Sequence, residues 1–502
     1  MQIRIDEHVF DKYCSSETLA RIVDYDSVSA MWSAVLKEHA DDPAVSDRGV
    51  RTFAETEADA ARVRGFLKSS GIDRGSRVAL YMVNSYSFVC SFLGIVTSGA
   101  SAVLLPPQLP QEAVFGCCMK YGASLLIFDE AGEEKAAFAA ERGVKTASAA
   151  SVLAQDASAP VCECGSKDPC VIIFTGGTSG KSKGALLSNG AVMRGVKNGC
   201  YGYEEVFSQR YFLILPLTHV FGLIRNLLTS LYTGSVLHIC RNPKDMFREI
   251  AEFRPTILVL VPALAEMALA LSKQFGKNML GSSVKAIICG AATVSPYLVE
   301  EYHKLGIALY PGYGLTESAN LVSGNPVSLR RPESVGFPYP EQELRIEDGE
   351  LWLKGPNMME CYVQDDEENR AAYTDGWFRT GDLARVDEEG LLYITGRIKE
   401  VIVLPSGEKI SPAELEAEFN RIPVIADSLV SLEDVLTLQV YPRAAEVKKL
   451  DAADVNSYIT EKINEVNASL PSHARVSRIV IRTSDFARSP SMKILRDKNK
   501  PE

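Results

Sequence analysis

The chain has 502 residues, 46% apolar and 23% charged, which is ordinary for a globular enzyme and enough for at least two domains. Its net charge of −11 argues against general nucleic-acid binding. The 11 cysteines are scattered, with no C-x-x-C pair and no zinc spacing, so reduced thiols in a cytoplasmic protein are expected rather than a disulfide framework.

From the start, residues 1–10 are mixed and charged, unlike a signal peptide. Residues 28–39 read as a helix, 44–53 as a strand pair and 56–69 as a long helix. Residues 78–111 carry no charge, which raises the question of a membrane span. Asn84, several serines and Pro106-Pro107 instead predict a buried strand, helix and strand over 77–82, 86–97 and 101–105, with no transmembrane segment. Such β-α-β alternation implies a parallel sheet with helices on its faces. Residues 125–128 add a strand. The alanine-rich 131–159 reads as a surface helix plus a connector without chemistry.

Residues 171–184 read VIIFTGGTSGKSKG. Val171 to Phe174 is a short apolar, β-favouring run. Glycines then let the backbone approach a ligand, hydroxyls and amides supply donors, and Lys181 and Lys183 add cations. That composition suits a phosphate cradle, against a plain flexible loop. A Walker A loop needs a glycine where Thr175 stands, and a helix directly after Ser182. The following helix is expected later, capped by Ser188 or Asn189.

Further strands are predicted at 211–215, 235–238, 257–261 and 286–289, with a helix over 223–231. Residues 344–394 alternate short strands and turns and read as a small β-subdomain. From Arg397 onward the chain is mixed α+β, with helices starting near Pro412 and spanning 452–467. That part holds 16 basic and 16 acidic residues, against 37 and 48 before it. Its neutrality and basic end suit a cap over a polyanion, or equally an ordinary solvated face.

Five segments in order carry a resemblance: the 175–184 loop, YPGYGLTES at 310–318, FRTGDL at 378–383, GRIKE at 396–400 and RSPSMKI at 488–494. Together they resemble the adenylate-forming (AMP-binding) superfamily, of the acyl- and aryl-CoA synthetase type. The usual loop is T-S-G-[ST]-T-G-x-P-K-G, and here Gly176, Ser179 and Ser182 replace its Ser, Thr and Pro. In the tail Met492 replaces the usual Gly. The resemblance implies an α/β fold: a large N-terminal domain of parallel and mixed sheets with helices and a small β-subdomain, and a small mobile α+β C-terminal domain. The expected boundaries are an adenylation domain over 1–396, a hinge over 397–400 centred on Lys399, and a cap over 401–502.

The resemblance also implies ATP and Mg²⁺, with CoA as co-substrate. Thr175, Gly176, Gly177, Thr178, Ser179, Gly180 and Lys183 would hold the β/γ-phosphates. Gly290, Ala291 and Ala292 would border the adenine. Tyr313, with space on both sides from Gly312 and Gly314, would lie flat on the purine. Thr316 would bond a phosphate, Glu317 would hold Mg²⁺, Asp382 would accept from the ribose hydroxyls, and Arg397 would hold ribose or phosphate. Lys493 would bridge the reacting carboxylate and α-phosphate.

Residues 216–222, PLTHVFG, resemble the P-L-x-H-x-x-G of acyl- and aryl-CoA synthetases, where His219 would border the substrate carboxylate. Arg225 is open between a second substrate carboxylate and a helix surface. The implied reaction is attack of a carboxylate on ATP, giving an acyl-adenylate and pyrophosphate, then thioester formation with CoA. Two alternatives remain at this level: loading of a carrier-protein thiol in trans, and a P-loop kinase or ATPase.

Overall fold

The computed structural model describes residues 2–3, 5–175, 183–203, 205–404, 408–450, 455–488 and 494–499. Two large sheets with helices on their faces form the bulk of it. One runs, edge to edge, Cys361–Tyr362, Gly184–Ser188, Pro169–Phe174, Ser101–Leu104, Arg77–Tyr81, Ala123–Phe128 and Thr146–Ser148. Its middle strands are parallel, and Gly184–Ser188 is antiparallel to Pro169–Phe174.

The second sheet has Arg210–Leu213, Ile257–Leu260, Ala286–Cys289 and Ala308–Tyr313 as consecutive parallel neighbours. Its interior strands are almost wholly buried, which is why they read as unbroken apolar runs rather than alternating ones. A third, antiparallel sheet contains Glu343–Glu347, Glu350–Lys354, Trp377–Val386 and Leu392–Arg397. Its edge is Gln2–Ile3, a pairing across more than three hundred residues that no local pattern announces. The C-terminal segment packs Pro412–Phe419 and Val455–Ser469 around Ile425–Leu432, Leu436–Pro442 and Arg478–Ile481.

The uncharged stretch folds as expected. The helix Tyr86–Val96 starts where Ser85 caps the Phe88 amide, and it is buried from Phe88 onward. Among the described residues no helix is long and apolar enough to cross a membrane, and all eleven cysteines are free thiols. Three local readings shift. The helix expected from 56 is Phe53–Ser69, because Thr52 and Glu55 form a reciprocal capping box three residues earlier. The alanine-rich stretch contains the strand Thr146–Ser148, recruited by parallel pairing to Ala123–Phe128. The helix expected over 223–231 is a π-helical segment, Phe221–Leu228, followed by Thr229–Tyr232. Gly222 is needed there, since a Cβ would lie 2.2 Å from the Pro216 carbonyl oxygen.

Candidate nucleotide and acid site

The base of the glycine-rich loop is a hairpin. Phe174 pairs with Gly184 across antiparallel strands, and the Thr175 amide donates to the Lys183 carbonyl at 2.9 Å. The next helix, Asn189–Asn198, begins only after the second strand, with Ser188 capping the Ala191 amide. A P-loop is strand, loop and helix, so strand–loop–strand removes the kinase or ATPase reading. Gly176, Gly177, Thr178, Ser179 and Gly180 lie outside the described residues.

The short strand Cys361–Tyr362 adds antiparallel to Gly184–Ser188, with Tyr362 opposite Ala185. This brings Tyr362 between two predicted site residues. Its hydroxyl donates to Glu317 Oε1 at 2.6 Å, and Lys183 Nζ lies 4.9 Å from its ring centre. Burial, reinforced by the Glu317 charge, pushes the Tyr362 phenol far above its ordinary value, so it stays a donor. Lys183 Nζ pairs with Glu368 at 2.5 Å, on the helix Asp366–Ala372. Glu317 is further fixed by its carbonyl, which accepts from the Met359 amide at 2.7 Å. Sequence reading missed Tyr362 and Glu368. Residues 360–369 carry no turn or glycine signature, and only the strand pairing places them here.

Asp382 is 2% exposed, so its carboxylate needs partners. Oδ2 accepts from the Tyr313 hydroxyl at 2.6 Å and Oδ1 pairs with Arg397 Nε at 2.8 Å. Asp382 and Arg397 face each other in the register of Trp377–Val386 and Leu392–Arg397. The Asp382 charge raises the Arg397 guanidinium, and burial followed by that same charge raises the Tyr313 phenol. Thr316 is buried at the start of the 3₁₀ turn Thr316–Ser318.

Gly290, Ala291 and Ala292 follow Ala286–Cys289, and Tyr313 ends Ala308–Tyr313, both at carboxyl ends of parallel strands. Ligand crevices form at such ends in α/β sheets. Ala291 holds φ +67°, a left-handed backbone unusual for alanine. A Cβ on Gly290 would lie 3.3 Å from the Gly312 carbonyl and 3.6 Å from Phe221 Cζ. The expectation of open space beside Tyr313 needs correction at Gly314: a Cβ there would sit 1.2 Å from the Asn320 carbonyl oxygen. The glycine is demanded by the chain folding back on itself, not by a ligand.

His219 is half-buried just before the π-helical segment, and its Nδ1 accepts from the Phe221 amide at 3.3 Å. Arg225, four residues further along, is only 1% exposed, so the helix-surface reading is wrong. Lys399 lies in the 3₁₀ turn Ile398–Glu400, and Lys493 lies outside the described residues. Beyond that turn the C-terminal segment bonds back to the helices Pro262–Phe275 and Pro296–Lys304. Glu446 accepts from Lys273 Nζ and from the Tyr297 hydroxyl, both at 2.6 Å, and Arg443 pairs with Glu266.

A strand hairpin at the base of the glycine-rich segment, and a tyrosine at the carboxyl end of a parallel strand bonded to a buried aspartate, suit a nucleotide-binding enzyme. A family model described as AMP-binding enzyme matches residues 32–363, and one described as AMP-binding enzyme C-terminal domain matches 399–500. The chain belongs to the AMP-binding enzyme family. It is 36% identical over 281 residues to indoleacetate–CoA ligase of Aromatoleum aromaticum, covering 53% of this chain and 54% of that one. It is 30% identical over 380 residues to 2-succinylbenzoate–CoA ligase of Bacillus velezensis, covering 72% and 76%. Its fold is similar to the anthranilate CoA ligase AuaEII in complex with anthranoyl-AMP, at TM-score 0.84 and 20% identity, covering 94% and 96%.

Proposed function

We propose that this chain is an acid–thiol ligase that joins a small-molecule carboxylic acid to AMP, using ATP and releasing pyrophosphate, and then passes the acyl group to CoA. The observation that supports the reading is that the segment 310–318 bears both Tyr313, bonded to the Asp382–Arg397 pair, and Glu317, bonded to Tyr362 beside Lys183. Membership of the AMP-binding family and similarity to two CoA ligases support it.

The first step brings two anions together, so these residues would act by positioning and by neutralising charge. Asp382 would take the ribose hydroxyls, with Tyr313 and Arg397 holding its carboxylate in place. Thr175, Lys183 and the loop residues would hold the phosphates. Among the described residues no cluster of three His, Cys, Asp or Glu could hold a metal by itself. Glu317, one oriented carboxylate, fits Mg²⁺, which commonly takes one or two protein carboxylates and completes its shell with substrate phosphates. Bound there, Mg²⁺ would supply charge neutralisation at the phosphates. His219 would border the acid, and its Nδ1, accepting from the Phe221 amide, leaves the ring proton on Nε2. Residues 1–396 would form the adenylation unit and 401–502 the cap. Rotation about Lys399 would exchange Lys493 for the thiol route between the two steps.

The test is product analysis with a panel of carboxylic acids. Acid-dependent AMP and pyrophosphate, and a CoA thioester on adding CoA, are expected; ADP would overturn the reading. Lys493→Ala should abolish adenylate formation yet leave thioester synthesis from a supplied acyl-adenylate largely intact. Equal loss of both steps would remove Lys493 from that role.

A further inference from the structure

Among the described residues the guanidinium of Arg225 is a buried cation with no anion paired to it. Its Nε, Nη1 and Nη2 all lack a hydrogen-bond partner among the described residues, and it takes part in no ion pair there. Its surroundings are aromatic. Tyr203 presents its ring 5.4 Å from Cζ, and the hydroxyls of Tyr203, Tyr211 and Tyr339 lie close enough to act on the charge but carry none themselves. Tyr211 is itself fully buried, with an unpartnered hydroxyl. Burying one unpaired charge costs several kcal/mol, and arginine cannot shed its proton to escape that cost. A methionine or leucine would pack the same space without it. Five N–H donors in a planar fork are suited to one kind of group, a carboxylate or a similar planar anion.

Arg225 shares its segment with residues expected at the acid site. Phe221 and Arg225 sit four residues apart on the π-helical segment, and π-helical turns are frequent at functional sites. Phe221 borders Gly290 beside the Gly312 carbonyl, at the nucleotide end. Tyr310, two residues before Gly312, meets Tyr203 edge to face at 4.9 Å between ring centres. Tyr203, Tyr310 and Tyr339 meet in a tightly packed seam, and Tyr203 also lies against the guanidinium. Arg225 thus follows His219 and Phe221 on one segment and is linked through Tyr203 to Tyr310, on the strand that leads to Gly312 and Tyr313.

Resting on the reading of the site as an acid-activating one, we propose that Arg225 binds a second carboxylate, so that the substrate is a dicarboxylic acid. One carboxylate reacts beside His219, and the other ends on the Arg225 fork. The tyrosines shape the space between them and limit its length.

The experiment compares matched acids on the full chain: butyrate against succinate, hexanoate against adipate, benzoate against phthalate and terephthalate, each scored by ATP-dependent pyrophosphate release. At least one dicarboxylate should exceed its monoacid counterpart tenfold or more in kcat/KM. Arg225→Met should lower that ratio about a hundredfold, with Arg225→Lys in between, because an ammonium keeps the charge without the fork. Thermal melting of each variant separates loss of fold from loss of preference, and the wild-type ratio needs no variant. Monoacids turned over as well as or better than every diacid would overturn the proposal while leaving acid activation standing. Pyrophosphate release with no acid of either kind would overturn both.

Discussion

The Tyr362 hydroxyl holds the Glu317 carboxylate at 2.6 Å, across 45 residues of sequence. The same ring lies beneath Lys183. One aromatic side chain thus touches both the acid expected to meet Mg²⁺ and the base expected to meet phosphate, and so fixes how far apart they lie.

Removing that hydroxyl tests its value. A hydrogen bond to a charged group contributes about 1.5–3 kcal/mol, so Tyr362→Phe should lower kcat/KM for ATP roughly tenfold to a hundredfold. The Mg²⁺ concentration for half-maximal pyrophosphate release should rise with it. Unchanged Mg²⁺ dependence would mean that Glu317 needs no help in pointing at the metal.

Lys183 pairs with Glu368. Phosphate binding would have to draw it away, which costs affinity. Glu368→Gln should therefore lower the KM for ATP several-fold, while Lys183→Ala raises it. Isothermal titration with a non-hydrolysable ATP analogue gives the same comparison without turnover. If Glu368→Gln weakens binding instead, Glu368 belongs to the site rather than competing with it.

Gly314 should tolerate no side chain. Its Cβ would fall 1.2 Å from the Asn320 carbonyl oxygen, a backbone atom that cannot rotate away. Gly314→Ala should cost about 1–3 kcal/mol of stability or more and displace Tyr313 from Asp382. Chemical denaturation measures the first effect and nucleotide titration the second. A variant with wild-type stability would show that residues 314–320 reorganise cheaply.

Glu446 joins the C-terminal segment to the helix Pro262–Phe275 through Lys273, and to Tyr297. Burial alone would raise its pKa, but the bonds from Lys273, Tyr297 and Lys449 outweigh that and hold it at about 2 against an ordinary 4.5. A depressed carboxylate stabilises the folded form fully above its unfolded pKa, and loses that contribution as pH falls through the folded value. The stability difference between wild type and Glu446→Gln should be constant above about pH 4.5 and vanish by about pH 2. At neutral pH the variant should be nicked faster by protease between residues 397 and 401. A difference that ignores pH would show that the carboxylate charge is not what matters.

The order of the glycine-rich hairpin, the Tyr-Gly-Leu-Thr-Glu segment and the Gly-Asp turn could be read directly along the chain. Each is a local demand: a tight bend, a donor beside it, an acid at a strand end. It was the resemblance carried by those segments together that grouped Glu317, Asp382 and Tyr313, and apolar runs alternating with helices implied parallel pairing in the large sheets. The contacts that finish the site are different in kind. Tyr362 reaches Glu317 because a two-residue strand adds to Gly184–Ser188, and Glu368 reaches Lys183 through the helix that follows. Arg225 stands in a segment whose pattern suits either face of a helix, and only the packing of Tyr203, Tyr211 and Tyr339 around it encloses the charge. Strand register and helix rotation are set by the sum of many weak long-range contacts. A side chain's partner across such a contact therefore leaves no mark on the residues beside it in sequence.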